Sequence, residues 1–253
     1  MRLNKIQLHI VGAGGLAYHS MSGMLNVLYK VADDADMMTV HVWDKDEVEE
    51  RNKYRQWTRA GVNKAEIVGG ILSKACHVTV HKEMFSRTTA TGLTVADKLN
   101  KQDFNLGGII VVGLPDNHMC RTAIYDMCEE LGKNSLKQVV VGSIVAGNSG
   151  TNGYAFGMWH TGREDRYDWM KVHGDIREEA EKEEKKLAQP VSCMDTGEPI
   201  QSVESNMLTA GLIVKMIDTM LGYNDIGKPS GGLEYTWFKL DKAVSIEYAD
   251  YTY

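Results

Sequence analysis

Apolar and polar residues alternate in blocks along the first 150 residues, and the block lengths indicate strands that alternate with helices. Short runs rich in Val and Ile, bounded by glycine or polar residues, are typical of buried parallel strands. Longer segments with apolar residues three or four positions apart are typical of helices with one buried face. Strands are predicted at 6–11, 38–43, 77–81, 108–112 and 138–142, and helices at about 16–31, 63–75 and 116–131.

The pattern changes after residue 150, where the strand predicted at 154–159 has no obvious crossover helix before it. A charged run that begins at Asp175 indicates a helix with a solvated face carrying i,i+4 ion pairs. Segment 189–201 contains two prolines and a glycine and is predicted to be a loop. The nearly all-apolar segment 203–221 predicts a buried core helix or part of a subunit interface, and 233–240 with 243–251 predicts a terminal hairpin.

Alternating strands and helices are the signature of a doubly wound α/β fold. In such folds, ligands bind beyond the carboxyl ends of the parallel strands. The sequence motifs that follow the predicted strands are therefore the first candidates for a functional site.

Composition excludes several classes of partner. The chain has 253 residues and a formal net charge of −6, so nucleic acid is not expected as its main partner, because phosphate binding needs clustered cations. No run of about 18 apolar residues is present, so no membrane span is expected. The four cysteines are scattered and form no Cys-x-x-Cys pair, which favours a reducing, cytoplasmic compartment and argues against a structural zinc site.

A glycine-rich turn follows the first predicted strand. Gly12 allows the tight turn, Gly14 lets the backbone approach a phosphate, and Gly15 opens the next helix. The small residue Ala17 suits close packing of that helix on the strand. Backbone N–H groups at the helix start would then bind the phosphate, although a turn of this kind also occurs without a ligand.

The second predicted strand ends at Asp44, which is the expected acceptor for ribose hydroxyl groups. A dinucleotide site would need nothing more, but here an asparagine and two arginines follow the acid. Arg51 and Arg55 are four residues apart, so a short helix would place both on one face, where they could clamp a triphosphate. Surface pairing of these arginines with neighbouring glutamates is the alternative.

Two further residues stand where ATP chemistry would need them. Lys64, at the start of a predicted helix, could reach a β- or γ-phosphate, or could be an ordinary exposed lysine. Asp116 follows strand 108–112 at its carboxyl end, where a carboxylate could hold Mg²⁺ against the phosphates. Asp116 is also a good candidate to cap the next helix, and the two roles are compatible.

In this order, the motifs resemble those of the ThiF/MoeB/HesA-type family, the bacterial relatives of ubiquitin-activating enzymes. The resemblance covers about residues 6–132 and, more loosely, 190–222. The matching segments are Gly12-Ala13-Gly14-Gly15, then Asp44 to Gln56 (Asp-Lys-Asp-Glu-Val-Glu-Glu-Arg-Asn-Lys-Tyr-Arg-Gln), then Lys64, then Asp116-Asn117-His118-Met119-Cys120-Arg121. The Arg-Gln block is the specific part of this match.

The resemblance implies a Rossmann-like α/β domain spanning 1–253, whose parallel half, 1–150, binds the nucleotide. The remainder, 151–253, would supply a crossover loop, a buried helix and a hairpin, and its strands would make the sheet mixed. The implied activity is ATP-dependent adenylation of the C-terminal carboxylate of a small ubiquitin-like or sulfur-carrier protein, or of a peptide. A homodimer is also implied.

The resemblance assigns roles to individual residues. Asp116 would hold Mg²⁺, and Arg55, Lys64 and Asp116 would be catalytic. The nucleotide site would comprise Gly12, Gly14, Gly15, Asp44, Asp46, Asn52, Arg55, Gln56, Lys64 and Asn117. Cys193 lies where relatives carry a loop across the adenylate, and its thiolate could accept the acyl group as a thioester. However, no basic residue is near Cys193 in sequence, and two neighbouring acids would raise its pKa.

The sequence also departs from the family pattern. The family's zinc motifs are absent, and Arg51 replaces the usual serine before Asn52. Dimeric relatives often donate an arginine from an N-terminal extension, and only Arg2 could play that part here. Two alternatives therefore stay open, namely a nucleotide-binding scaffold without turnover and, on the glycine turn alone, an NAD-dependent oxidoreductase.

Overall fold

The computed structural model describes residues 5–31, 38–50, 59–85, 107–134, 139–149, 152–160, 168–172, 175–187, 203–222, 234–239 and 245–250. The strands are β1 (Lys5–Val11), β2 (Met38–Trp43), β3 (His77–His81), β4 (Gly107–Gly113), β5 (Val139–Ser149), β6 (Asn152–His160), β7 (Glu234–Lys239) and β8 (Ser245–Asp250). The helices are α1 (Gly15–Val31), α2 (Lys64–Leu72), α3 (His118–Asn134), α4 (Trp169–Val172), α5 (Asp175–Leu187) and α6 (Val203–Gly222).

The described strands form one sheet in the order β3-β2-β1-β4-β5-β6-β7-β8. The five strands from β3 to β5 pair in parallel, and every pairing from β5 to β8 is antiparallel. The expected Rossmann-like α/β fold with a mixed sheet is therefore confirmed. The reversal at β5 also explains why no crossover helix is needed before β6, since antiparallel neighbours can be joined by a tight turn.

Helices cover both faces of the sheet, so the central strands are apolar on both sides. Along β4, Ile110 and Val112 pack on one face with α1, α2 and α6, while Ile109 and Val111 pack on the other face with α3. This two-sided burial produces the uninterrupted apolar runs seen in the sequence. Helix α6 lies against α1 and against β5 and β6, so the prediction of a buried core helix is confirmed.

The observed elements extend or shorten several predictions. Strand β5 runs from Val139 to Ser149, beyond the predicted 138–142, because its second half pairs with β6 in an antiparallel ladder. Helix α2 ends at Leu72, and α3 begins at His118. The terminal hairpin is confirmed as β7 and β8. The predicted loop 189–201 lies outside the described residues.

Within the described ranges, no helix combines the length and apolarity that a membrane span needs.

A buried serine–histidine–glutamate arrangement joins β5, β6 and α3. Ser143 Oγ lies 2.8 Å from His160 Nε2, and His160 Nδ1 lies 2.9 Å from Glu129 Oε1. The hydrogen bond from His160 lowers the pKa of Glu129 to about 2. Ser143 is 0% exposed and His160 4% exposed, and the polar groups of this arrangement have their hydrogen-bond partners within it. We interpret the arrangement as a structural tie between the sheet and α3.

A second polar cluster, which we call the histidine ladder, crosses β1, β2 and β3 on the face that also carries α3. The rings of His9 and His41 stack with centroids 4.6 Å apart, and His41 Nδ1 lies 3.1 Å from His81 Nε2. Trp43 stacks on His81 and points its indole N–H at His9 Nδ1, 3.4 Å away. Burial, together with the neighbouring rings, lowers the pKa of His9 and brings that of His41 to about 4.

The ladder should make the fold sensitive to mild acid. Burial also lowers the pKa of His81, against the opposing charge of Glu83. Between pH 6.5 and about 4 the unfolded chain binds protons that folded His41 does not bind, so the free energy of unfolding falls as the pH is lowered. We expect urea unfolding to show a loss on the order of 2 kcal/mol between pH 7.5 and 5.0.

A substitution at the centre of the ladder tests this expectation. His41→Phe keeps an aromatic ring in the stack but cannot be protonated, so it should flatten the pH dependence. His77→Gln changes an exposed histidine at the start of β3 whose charge is the smallest of the three causes that lower the pKa of His41, so it should change the dependence much less than His41→Phe does. Equal pH dependence in the parent and His41→Phe proteins would assign the acid sensitivity to other groups.

Candidate active site at the carboxyl edge of the parallel strands

The glycine turn between β1 and α1 rests directly on the loop that follows β4. Gly12 has a φ of 90°, and a Cβ atom there would lie 2.8 Å from both the carbonyl carbon and the oxygen of Leu114. The Gly12 N–H donates to the carbonyl of Trp43 (2.9 Å), and the Leu114 N–H donates to that of Val11 (2.7 Å). Only glycine therefore suits position 12, and the turn is fixed against its two neighbouring strands.

Beyond Gly12 the turn is open. A Cβ atom on Gly14 would meet nothing within 4 Å. Helix α1 begins at Gly15 and carries no acidic side chain in its first turn. The free N–H groups of a helix start and the positive end of its dipole favour an anion at this place. These features fit the predicted phosphate-binding role of Gly12, Gly14 and Gly15.

Asp44 connects the end of β2 to the glycine turn. Its Oδ2 accepts from the N–H of Ala13 (2.7 Å), and its Oδ1 accepts from the N–H of Asp46 (2.8 Å). Burial raises the pKa of Asp44, while these two hydrogen bonds and the charge of Lys64 act in the opposite direction. Each carboxylate oxygen has a further lone pair, so the predicted acceptance of ribose hydroxyl groups is compatible with both bonds.

Lys64 and Asp46 lie beside Asp44 because one asparagine organises the segment. Asn63 caps α2, accepting from the N–H groups of Ala65 and Glu66, and donates from Nδ2 to the carbonyls of Asp44 (3.1 Å) and Asp46 (3.2 Å). The Lys64 ammonium lies 3.8 Å from Asp46 Oδ2 and is 14% exposed. The structure thus brings together three residues that the sequence placed at the nucleotide site.

Asp116 and Asn117 follow β4 at the same edge of the sheet. Asn117 caps α3 by accepting from the Cys120 N–H (2.8 Å), so the cap that Asp116 could have formed is made by its neighbour. Asp116 is exposed, and Asn117 Nδ2 lies 3.4 Å from its Oδ1. The carboxylate of Asp116 is therefore available to a ligand in solution.

Two residues support the start of α3. Arg121 is buried and donates from Nη2 to the carbonyl of Pro115 (2.9 Å), which holds the loop that carries Asp116. Glu183 of α5 accepts from the N–H of Met119 (2.9 Å). The sequence predicted a solvated helix for α5, and its residues are mostly exposed, but Glu183 contributes a carboxylate next to the site that the charge pattern did not reveal.

Several predicted site residues lie outside the described residues. These are Arg51, Asn52, Arg55, Gln56 and Cys193, and their roles stay predictions. Cys120 and Cys128 of α3 are buried thiols, and burial raises the pKa of Cys120 to about 12.

Among the described residues, one carboxylate suits an ATP–Mg²⁺ complex. These residues include no group of three or more His, Cys, Asp or Glu that could hold a metal ion. Magnesium in nucleotide sites is commonly held by one or two carboxylates together with substrate phosphates. Exposed Asp116, which follows β4 at the same edge of the sheet as the start of α1, fits that requirement as a single carboxylate. It would be the residue to hold the ion, which would neutralise phosphate charge.

Comparison with solved structures supports the fold assignment. PaaA has a TM-score of 0.57 and is 16% identical, over 100% of this chain and 66% of that one. E. coli MccB with ATP has a TM-score of 0.58 and is 17% identical, over 99% of this chain and 65% of that one. E. coli tRNA N6-threonylcarbamoyladenosine dehydratase TcdA, in complex with AMP, has a TM-score of 0.52 and is 13% identical, over 88% of each chain.

At these identities the comparison shows the fold alone, and the shared fold is the Rossmann-like α/β fold with a mixed sheet that the sequence predicted. The chain spans about two thirds of the length of PaaA and MccB. No protein-family profile matches the chain, and no curated protein matches it. MccB has also been solved with AMPCPP and MccA together.

Proposed function

We propose that the protein is an ATP-dependent adenylyltransferase that activates a C-terminal carboxylate of a small protein or peptide. The observation that carries the proposal is the bonding of Asp44 to the glycine turn. The Asp44 carboxylate, the proposed ribose acceptor, accepts from the proposed phosphate-binding turn, and the charge of Lys64 acts on it. Asp116 lies at the same edge of the sheet. Structures with this fold that hold ATP, AMP, or AMPCPP with MccA support the proposal.

The proposed reaction is a substitution at the α-phosphorus of ATP. A carboxylate oxygen forms a bond to that phosphorus while the bond to the bridging oxygen of pyrophosphate breaks, and the electron pair leaves with pyrophosphate. Such a step needs alignment and charge neutralisation more than a covalent catalyst. The start of α1 and Lys64 supply positive potential, and Asp44 fixes the nucleoside. On the resemblance alone, we also propose that Asn52, Arg55 and Gln56 bind the nucleotide.

The fate of the acyl adenylate is a separate proposal. Attack by the thiolate of Cys193 would form a thioester and release AMP. Direct release of the adenylate, or acyl transfer to another acceptor, would leave Cys193 without a covalent role. A homodimer, which the resemblance implies, is part of the same proposal.

Product analysis tests the activity. We expect Mg-ATP and peptides with a free C-terminal carboxylate to yield pyrophosphate together with the acyl adenylate, or with AMP once the acyl group is transferred or hydrolysed. The same peptides with a C-terminal amide should yield none of these products, because the amide lacks the attacking oxygen. Chromatography of the nucleotides with an enzymatic pyrophosphate assay measures these products. ADP and phosphate as products would contradict adenylation. ATP binding without any turnover would favour a scaffold of the same fold.

A further inference from the structure

Two asparagines meet where α6 reaches the glycine turn. Val145 of β5 pairs with Gly113, the last residue of β4, so Asn148 lies beyond the carboxyl end of β4. Asn148 donates from Nδ2 to Oδ1 of Asn206 (2.8 Å), and to Ser205 Oγ at 3.1 Å. This contact joins the extended end of β5 to the first turn of α6.

The hydrogen bond fixes the orientation of the Asn206 amide, whose Nδ2 and Oδ1 lie 3.1 and 3.4 Å from the position of a Cβ on Gly15. Because Oδ1 accepts from Asn148, Nδ2 is directed elsewhere. It is the atom nearest to the position of a Cβ on Gly15, at 3.1 Å. Asn206 is 0% exposed, and within the described part of the chain its Nδ2 has no hydrogen-bond partner. A buried amide left without a partner costs about 1–3 kcal/mol, so such a group needs an explanation.

We propose that Nδ2 of Asn206 donates to a phosphoryl oxygen of the nucleotide bound at the start of α1, and that Asn148 is a positioning residue that keeps this donor turned toward the ligand. The inference rests on the proposed function, which places a nucleotide there. It adds a side-chain donor to the backbone N–H groups of the helix start. A side-chain amide with a fixed orientation offers an anion two hydrogens and no negative charge.

The order of affinities among two variants separates this role from a structural one. Asn206→Ala removes the donor and the bond to Asn148. Asn206→Asp keeps the shape and still accepts from Asn148, but it places a carboxylate oxygen where the donor was. If Asn206 only supports the fold, both changes should lower the melting temperature of the unliganded protein and leave the Kd of the folded protein for Mg-ATP at the parent value. If it binds phosphate, the aspartate should be the more harmful change, because like charges repel.

The measurement is the Kd of Mg-ATP by titration calorimetry, with the melting temperature of each unliganded protein alongside. We expect about a tenfold weaker Kd for Asn206→Ala and about a hundredfold for Asn206→Asp, as one lost charge-assisted hydrogen bond and an added repulsion would produce. Asn148→Asp removes the donor that orients Asn206, and should also weaken binding. Thr209→Val is the control. It removes a different buried polar group of α6, a hydroxyl, and should keep the parent affinity.

The outcomes separate failure of this inference from failure of the proposed function. If the parent protein binds Mg-ATP and Asn206→Asp binds it as well as Asn206→Ala or better, Asn206 is structural and the inference is wrong, while the proposed function stands. If the parent protein does not bind Mg-ATP, the proposed function fails and the inference fails with it. The order parent, Ala, Asp in decreasing affinity supports the inference.

Discussion

Replacing Gly12 by alanine is expected to destabilise the protein by about 3 kcal/mol or more, since strain and overpacking act together. The residue has a φ of 90°, which is unfavourable for a side chain. The added Cβ would also lie 2.8 Å from the backbone of Leu114, which cannot move away as a flexible side chain could. Urea unfolding monitored by circular dichroism measures the change in the free energy of unfolding.

Two other glycines serve as matched controls. Gly61 has a φ of 81° but would meet nothing within 4 Å, so Gly61→Ala carries only the strain and should cost about 1–2 kcal/mol. Gly14 has open space around the Cβ position, so Gly14→Ala should keep the stability but fill space that the phosphate needs. If Gly12→Ala lowered the free energy of unfolding no more than Gly61→Ala does, the inferred clash with the Leu114 backbone would be wrong.

Replacing Asp116 by alanine is expected to lower the rate of pyrophosphate release at least about 100-fold, the scale of losing one charge-stabilising group at a reacting centre. Asp116 is exposed, and Asn117 makes the helix cap in its place. The loss should therefore come from metal and phosphate binding, with little change in melting temperature. A pyrophosphate assay at varied Mg²⁺ concentration measures both the rate and its metal dependence.

Charge and shape can be separated at this position. Asp116→Asn keeps the side-chain shape but removes the negative charge, so it should behave like the alanine variant. Glu181→Gln makes the same change of charge on the exposed face of α5, away from the site, and should keep the parent rate. An unchanged rate and unchanged Mg²⁺ dependence in Asp116→Asn would show that this carboxylate is not the metal ligand.

The fold could be predicted because each strand of the parallel half has its own local pattern of apolar and polar residues. Strand β4 is buried on both faces, and its uninterrupted apolar run stands out from its surroundings. Asp44 and Asp116 were predicted as site residues because each follows a parallel strand, at the edge where α/β folds place their ligands. Asn63 could also have been found, since an asparagine directly before an apolar helical segment is a typical cap.

Other parts of the site had no local signal. Glu183 reaches the start of α3 from a helix 64 residues away, and its sequence neighbours are charged residues of an ordinary solvated helix. Asn148 and Asn206 meet across 58 residues, and neither belongs to a recognisable motif. Such pairings depend on how α5 and α6 pack on the sheet. The periodicity of apolar residues predicts the helices themselves but not where they pack.

The central claim is that the site binds ATP with a metal ion, and a thermal-shift comparison tests it most directly. Saturating ligand, at about 100 times its Kd, adds about 2.7 kcal/mol, which for a chain of this size is a shift of several degrees. We expect Mg-ATP to raise the melting temperature of the parent protein, ATP with a chelator to raise it less, and NADH to leave it unchanged. Stabilisation by NADH, with none by Mg-ATP, would contradict the claim.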